Sequence, residues 1–180
     1  MRTHVQAGLA CLALALAAGS LMAGDKGEKT RFAVRAQLMG GQEVPALSTT
    51  GGGHFRAWID TEANLIYWKL SYDGLEGSVT QAHVHFGQHS VNGGISFFLC
   101  SNLGNGPAGT QACPTTGPAE LEGTITPEGV VGPGPTATSA GQGIEPGAFA
   151  EIAAAIRAGL AYANVHTSKW PGGEIRGQLR

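Results

Sequence analysis

Three histidines lie close together within residues 81–89 (QAHVHFGQH). If this segment is a β-strand, side chains two residues apart point to the same side, so His83 and His85 project together. Two imidazoles in this arrangement are near enough to bind one ion. Gly87 allows the chain to turn back after the pair, and we therefore expect His89 to act as a third ligand.

A fourth histidine occupies a second strand-like segment, residues 160–167 (LAYANVHT). His166 shares one face of that segment with Asn164 and Tyr162. If the two segments pair side by side, His166 joins the other three imidazoles. His54 follows three glycines and is either a further ligand or an exposed side chain.

The types of ligand indicate which metal would be preferred. No carboxylate and no thiol lies among the clustered histidines. An all-imidazole set favours copper, with zinc as the second choice. The alternative is that these histidines bind no ion and only satisfy local hydrogen bonds.

A terminal strand, residues 173–179, places Glu174 and Arg176 on one side. Arg176 either belongs to a solvated face or lies near the histidines, where its charge would attract a small anionic substrate. Glu174 either pairs with Arg176, orients an imidazole N–H or ligates the ion.

Alternating apolar and polar residues predict about eight β-strands, which the sequence separates by turns rich in Gly, Pro, Asn and Asp. They are expected at residues 31–38, 54–60, 65–72, 79–86, 94–100, 121–126, 160–167 and 173–179. One helix is expected at residues 146–159, between a proline and a glycine. This pattern is typical of an all-β, antiparallel sandwich or barrel with one short helix.

The first 23 residues read as a secretory signal peptide, with Arg2 before a short Ala-rich apolar stretch. That stretch is too short and weakly apolar for a membrane span. Residues 24–180 then form a single domain, secreted or periplasmic. In an oxidising compartment, Cys100 and Cys113 most simply form a disulfide across a turn-rich loop.

Composition excludes several functional classes. The 180 residues are 42% hydrophobic and 13% charged, with a net charge of −2. This balance gives no electrostatic reason to expect nucleic acid or an anionic membrane as partner. No serine-nucleophile, Walker or dinucleotide-binding motif is present.

Five blocks in order resemble the CHRD domain, first described in chordin and widespread in secreted bacterial proteins. They are QEVP at 42–45, AHVHFG at 82–87, NGG at 92–94, YANVHT at 162–167 and GGEIRGQ at 172–178. The resemblance runs from about Phe32 to Leu179 and implies a Greek-key, immunoglobulin-like β-sandwich in an extracellular setting. Nothing in the chain resembles the cysteine-rich modules of chordin, so a growth-factor-binding role is not implied.

The histidines themselves are similar to the copper site of Cu/Zn superoxide dismutase. That likeness implies His83, His85, His89 and His166 as ligands, Arg176 as the guide for superoxide, and Cys100–Cys113 as the bond that pins a nearby loop. Residues 101–119 contain no histidine or aspartate, so the zinc-binding loop of that family is absent. The sequence thus predicts a copper-only superoxide dismutase, with a copper-buffering protein or a metal-free interaction module as alternatives.

Overall fold

A computed structural model describes residues 29–133 and 141–180 of the chain. The predicted signal peptide, residues 1–23, lies outside the described residues, as do residues 134–140 before the helix. Among the helices of the described part, none has the length and apolar character needed to cross a bilayer.

Eight strands and one α-helix make up the regular structure. The strands are β1 (Arg31–Met39), β2 (Gly52–Asp60), β3 (Leu65–Asp73), β4 (Val79–Phe86), β5 (Ile95–Ser101), β6 (Ala119–Ile125), β7 (Ala161–Thr167) and β8 (Ile175–Gln178), and the helix is α1 (Phe149–Arg157). The predicted all-β class, strand number and single helix are confirmed. The strand bounds differ from the predicted ones by only a few residues, as expected from frayed ends.

All strand pairs are antiparallel and form one sheet in the order β5-β4-β7-β8-β1-β2-β3-β6. The sheet curves until it is nearly barrel-shaped, with β5 and β6 facing each other at its two ends. Gln111 joins these ends, since its Nε2 donates to the carbonyls of Leu99 (3.2 Å) and Glu122 (3.1 Å). Cys100 and Cys113 form a disulfide beside this junction.

A single hydrophobic core fills the sheet. Alternation places Phe55, Ala57 and Ile59 of β2 inside, each at most 1% exposed. The helix α1 contributes buried Ile152 and Ile156 to the same core, because apolar residues recur there at helical spacing.

Four strands depart from the usual pattern of one buried and one solvated face, and one of them is β5, in which six of the seven residues are buried. Every residue of β7 and β8 is buried, and so is most of β4, although histidine, asparagine and arginine occupy their outer positions. Two loops, residues 40–51 and 87–94, cover this face and meet where Asn92 Nδ2 donates to the Val44 carbonyl (3.0 Å). A buried polar layer therefore lies between the sheet and the loops.

Candidate metal centre

Three histidines converge in the buried polar layer. His83 and His85 project from β4, and His166 projects from β7, which pairs directly with β4. One nitrogen from each ring lies within 4.8 Å of the others. All three side chains are buried. Alternation on β4 and the pairing of two strands distant in sequence therefore produce the cluster.

Backbone carbonyls fix the tautomers of two rings. Nδ1 of His85 lies 3.0 Å from the Gly93 carbonyl, and Nδ1 of His166 lies 3.0 Å from the Pro171 carbonyl. A carbonyl only accepts hydrogen bonds, so each Nδ1 carries the proton and each Nε2 has a free lone pair. Nε2 of His85 is buried and has no partner among the described residues. Such carbonyl support is characteristic of metal-binding histidines.

Neutral His83 carries one ring N–H, but a hydrogen-bond acceptor lies beside each of its two ring nitrogens. Its Nε2 lies 3.1 Å from Gln81 Oε1, and its Nδ1 lies 3.3 Å from His166 Nε2. Asn105 Nδ2 also donates to Gln81 Oε1 (2.9 Å), which keeps that oxygen turned toward His83. When neutral His83 donates to Gln81, two imidazole lone pairs face each other at 3.3 Å. A cation between them removes this repulsion.

Burial keeps the three rings neutral. It lowers the pKa of His83 well below 6.5, and repulsion from His166 and His85 in their protonated forms adds to this effect. Burial also lowers the pKa of His85 to about 3, and the pKa of His166 is lowered for the same reason. Because metal binding requires the neutral form of imidazole, protons compete weakly for these nitrogens near pH 7.

The spacing of the nitrogens fits one shared ion. Imidazole nitrogens at about 2.0–2.1 Å from a tetrahedral metal lie roughly 3.3 Å apart. The His83–His166 pair already has this separation, and the remaining pairs lie within 4.8 Å. Three nitrogen donors without thiolate or carboxylate suit copper or zinc, and three protein ligands leave a coordination position open.

Two other histidines proposed from the sequence lie outside the cluster. His89 is exposed, and its ring hydrogen bonds with the Ser90 hydroxyl at 2.7 Å. The turn at Gly87 directs the chain elsewhere, since Gly87 N–H donates to the Leu160 carbonyl (2.8 Å). His54 is exposed on the outer face of β2, three strands away from β7 in the sheet.

Arg176 lies near the cluster, but its contacts hold a loop in place. It is only 2% exposed, and it donates to the Val91 carbonyl (2.8 Å), the Gln88 carbonyl (3.3 Å) and Asn92 Oδ1 (3.1 Å). Its guanidinium also lies 3.5 Å from the centre of the Tyr162 ring. That ring stacks in parallel on His85 with 4.8 Å between centroids. The geometry thus links Arg176 to His85 through Tyr162.

Glu174 is fully buried and makes no described hydrogen bond to an imidazole. Its carboxylate accepts from the hydroxyls of Thr49 and Thr167 and from the Glu76 amide, each at 2.7 Å. These contacts tie the loop before β2 to β7. They place Glu174 in a structural role at the edge of the polar layer.

Glu43 is a buried carboxyl group of the same layer that the site prediction omitted. It accepts a hydrogen bond from Asn164 Nδ2 (2.7 Å). Burial raises its pKa to about 7, against the opposing effects of Asn164 and the Arg176 charge. Gly173 packs so closely here that a Cβ would lie 2.7 Å from both the Glu43 and Asn164 side chains.

Two signals in the sequence point to these additional residues. Gln81 and Asn164 share strand faces with the clustered histidines, so alternation places them beside the site. Glu43 belongs to the QEVP block that carries the family resemblance. Only the fold of the loop over the sheet shows that this block reaches the polar layer.

Comparison with known proteins gives one family. The family model of the CHRD domain matches residues 34–179, from within β1 to the end of β8, including all three clustered histidines. Neither a curated protein nor a solved structure is significantly similar to the chain. The match covers well over half of the 180 residues, and the chain therefore belongs to the CHRD domain family.

Proposed function

We propose that the protein binds one copper ion through His83, His85 and His166. The proposal rests on the arrangement of lone pairs, because one buried nitrogen from each of the three rings faces the other two. The other nitrogen of each ring lies against an oxygen that can accept its proton: the Gly93 carbonyl for His85, the Pro171 carbonyl for His166 and the Gln81 side chain for His83. Among divalent ions, copper gains most from such a nitrogen set, with zinc second.

We further propose that the protein is secreted or periplasmic, with residues 1–23 as signal peptide and residues 24–180 as one domain. The Cys100–Cys113 disulfide supports this location, because disulfides persist in oxidising compartments. The family is of an extracellular type. In such a compartment, cytosolic thiols do not compete with the histidines for copper.

The chemistry we propose for this site is superoxide dismutation. Copper held by His83, His85 and His166 would supply the one-electron redox chemistry by which two superoxide ions and two protons become dioxygen and hydrogen peroxide. Three ligands leave a position for a small anion. Arg176 lies against the Tyr162 ring that stacks on His85, and its positive charge at this short distance would favour a small anion at the site.

A second candidate function is copper holding without turnover. It is favoured by the burial of the site, since His83 is fully buried and His85 and His166 are each 7% exposed. A closed site of this kind suits a carrier or buffer. The ligands are the same in both functions, and measured turnover distinguishes them.

The metal site is tested on purified mature protein titrated with Cu(II). We expect one copper per chain and nitrogen hyperfine splitting in the electron paramagnetic resonance spectrum. His83→Ala with His85→Ala should abolish both, whereas His54→Ala with His89→Ala should leave both unchanged. Equal binding by the two double variants would refute the assigned ligands.

Superoxide consumption by the copper-loaded protein then tests the chemistry. Rate constants of about 10⁸–10⁹ M⁻¹s⁻¹, near the diffusion limit, would support the enzyme. A rate below that of free copper, with binding intact, would instead support the carrier. A chain that binds neither copper nor zinc would leave only the interaction module.

A further inference from the structure

A line of positively charged side chains crosses the outer face of the sheet, away from the metal centre. Arg35 on β1 lies directly opposite Arg56 on β2, and Arg56 lies directly opposite Lys69 on β3. Arg180 extends the line, because its backbone pairs with that of Arg35 through two hydrogen bonds (2.8 and 3.1 Å). These four residues form the basic row, and all four are exposed.

The basic row is electrostatically unfavourable in the isolated chain. Directly opposed residues on antiparallel strands have Cβ atoms about 4.5–5.5 Å apart, and like charges at that distance are destabilising. Among the described residues, neither a hydrogen bond nor an ion pair engages the guanidinium groups of Arg35, Arg56 and Arg180. Lys69 alone is paired, with Glu122 at 2.9 Å.

Overall charge does not explain the row. The chain carries 13 acidic and 11 basic residues, so carboxylates are not scarce. Two other surface cations have carboxylate partners: Arg31 pairs with Asp60 (2.7 Å) and Lys169 pairs with Glu76 (2.6 Å). Three adjacent guanidiniums that pair with no carboxylate side chain of the described residues therefore form a ready site for anions, since their planar donors match carboxylate and sulfate oxygens.

An exposed aromatic pair runs alongside the basic row. Trp58 follows Arg56 by two residues on the same face and lies directly opposite Tyr67, with 5.5 Å between ring centroids. Trp58 is 45% exposed. On the other side of the row, Gln37 lies opposite His54 and offers hydrogen-bonding groups. The face thus presents three parallel rows: the polar pair Gln37 and His54, the basic row, and the aromatic pair Trp58 and Tyr67.

We propose that this face binds an acidic polysaccharide. The sulfate or carboxylate groups of the polymer contact the basic row, and a sugar ring packs against Trp58. Adjacent strands are about 4.8 Å apart, so the row offers successive cations at the same short interval along a linear chain. The choice of ligand rests on the proposed extracellular or periplasmic location, which the disulfide supports, because acidic polymers built of sugar rings are available ligands there.

Charge reversal tests the proposal, with heparin as a sulfated probe and polygalacturonate as a carboxylated one. Arg35→Glu with Arg56→Glu should weaken heparin binding at least about tenfold at physiological ionic strength and reduce its salt dependence. The matched control, Arg31→Glu with Lys169→Glu, makes the same change in net charge at ion-paired positions and should weaken binding less than about twofold. All four side chains are exposed or partly so, and copper content should stay unchanged in every variant.

Three outcomes would overturn the proposal. If the wild-type chain binds neither polysaccharide, the face is not a binding site for them. If the control weakens binding as much as the row variant, attraction depends only on net charge. If single-stranded DNA of equal charge binds more tightly than heparin, the partner is a nucleic acid. Trp58→Ala supplies the remaining check, and it should weaken binding without altering the salt dependence.

Discussion

Two kinds of titratable side chain are buried together in the polar layer, and burial shifts their pKa values in opposite directions. The clustered histidines lose basicity, whereas the pKa of Glu43 rises to about 7. In each case burial penalises the charged form. The layer therefore holds neutral imidazoles beside a carboxyl group that is about half protonated near neutral pH.

Glu43→Gln should stabilise the protein at alkaline pH. The unfolded chain ionises Glu43 near pH 4.5, but the folded chain does so only near 7. Wild-type stability is therefore lost as the pH rises between these values, and glutamine removes the charge while it can still accept from Asn164. We expect the variant to gain up to about 3 kcal/mol at pH 8 and nothing at pH 4, measured by urea unfolding.

Glu174→Gln is the matched control for this prediction. Glu174 is more deeply buried than Glu43, and both of its carboxylate oxygens accept hydrogen bonds, three in all, whereas a glutamine has only one oxygen that can accept them. This variant should lose stability at pH 8. A Glu43→Gln protein that is less stable than wild type at pH 8 would contradict the buried position of Glu43.

At the scale of residues, the sequence predicts part of the site. Alternation alone places His83 and His85 on one face, and the like pattern around His166 supplies the third nitrogen. His89 could not be placed, because the path of the chain after Gly87 depends on hydrogen bonds to Leu160 and Gln178. Those partners lie more than 70 residues away, beyond the reach of any local pattern.

At the scale of elements, β5 is an edge strand whose position depends on contacts other than strand pairing. It pairs with β4 on one side only, and its other edge is held by the Cys100–Cys113 disulfide and the Gln111 side chain. Phe98 of β5 contacts the His83 ring edge-to-face at 4.5 Å. The contacts that hold β5 in place therefore also position Phe98 against His83 of the metal centre.

Removal of the disulfide by Cys100→Ala with Cys113→Ala should lower the free energy of unfolding by about 3 kcal/mol, because a closed loop of this size restricts the unfolded chain. Urea unfolding measures the loss. Copper stoichiometry at low temperature should persist, since neither sulfur belongs to the cluster. Wild-type protein treated with a reductant should behave like the variant, and a variant with unchanged stability would contradict the role of the bond.

The positions of the strands could be predicted from the sequence, but the burial of their outer faces by loops could not. Turn residues and alternation mark β1 to β8 because each strand has an inward face. The burial of the outer positions on β4, β7 and β8 arises from the loops at 40–51 and 87–94, which are irregular segments without periodicity. Their packing is fixed by particular contacts, such as Arg176 with Val91 and Asn164 with Glu43.

At the scale of the whole molecule, the neutral histidines should make the metal-free protein sensitive to mild acid. Below pH 6.5 the unfolded chain takes up protons on His83, His85 and His166, whereas the folded chain resists protonation to lower pH. Stability therefore falls as the pH drops below 6.5, by up to about 1.4 kcal/mol per pH unit for each histidine.

Glu43 opposes this loss, since its protonation stabilises the folded state over part of the same range. The pH dependence between 6.5 and 5 should accordingly be steeper in Glu43→Gln than in wild type. Thermal unfolding across this interval, in wild type and in Glu43→Gln, provides the measurement. A flat profile in the Glu43→Gln background would contradict neutral burial of the cluster.

His166 follows His83 by 83 residues, and the two become neighbours only when β7 pairs with β4. A chain that is still being synthesised or has lost its last strands offers only the His83–His85 pair. The full set of three nitrogens arises in the completed sheet alone, so metal retention and folding are coupled. Retained metal would therefore distinguish finished molecules from incomplete ones and delay the unfolding of the finished ones.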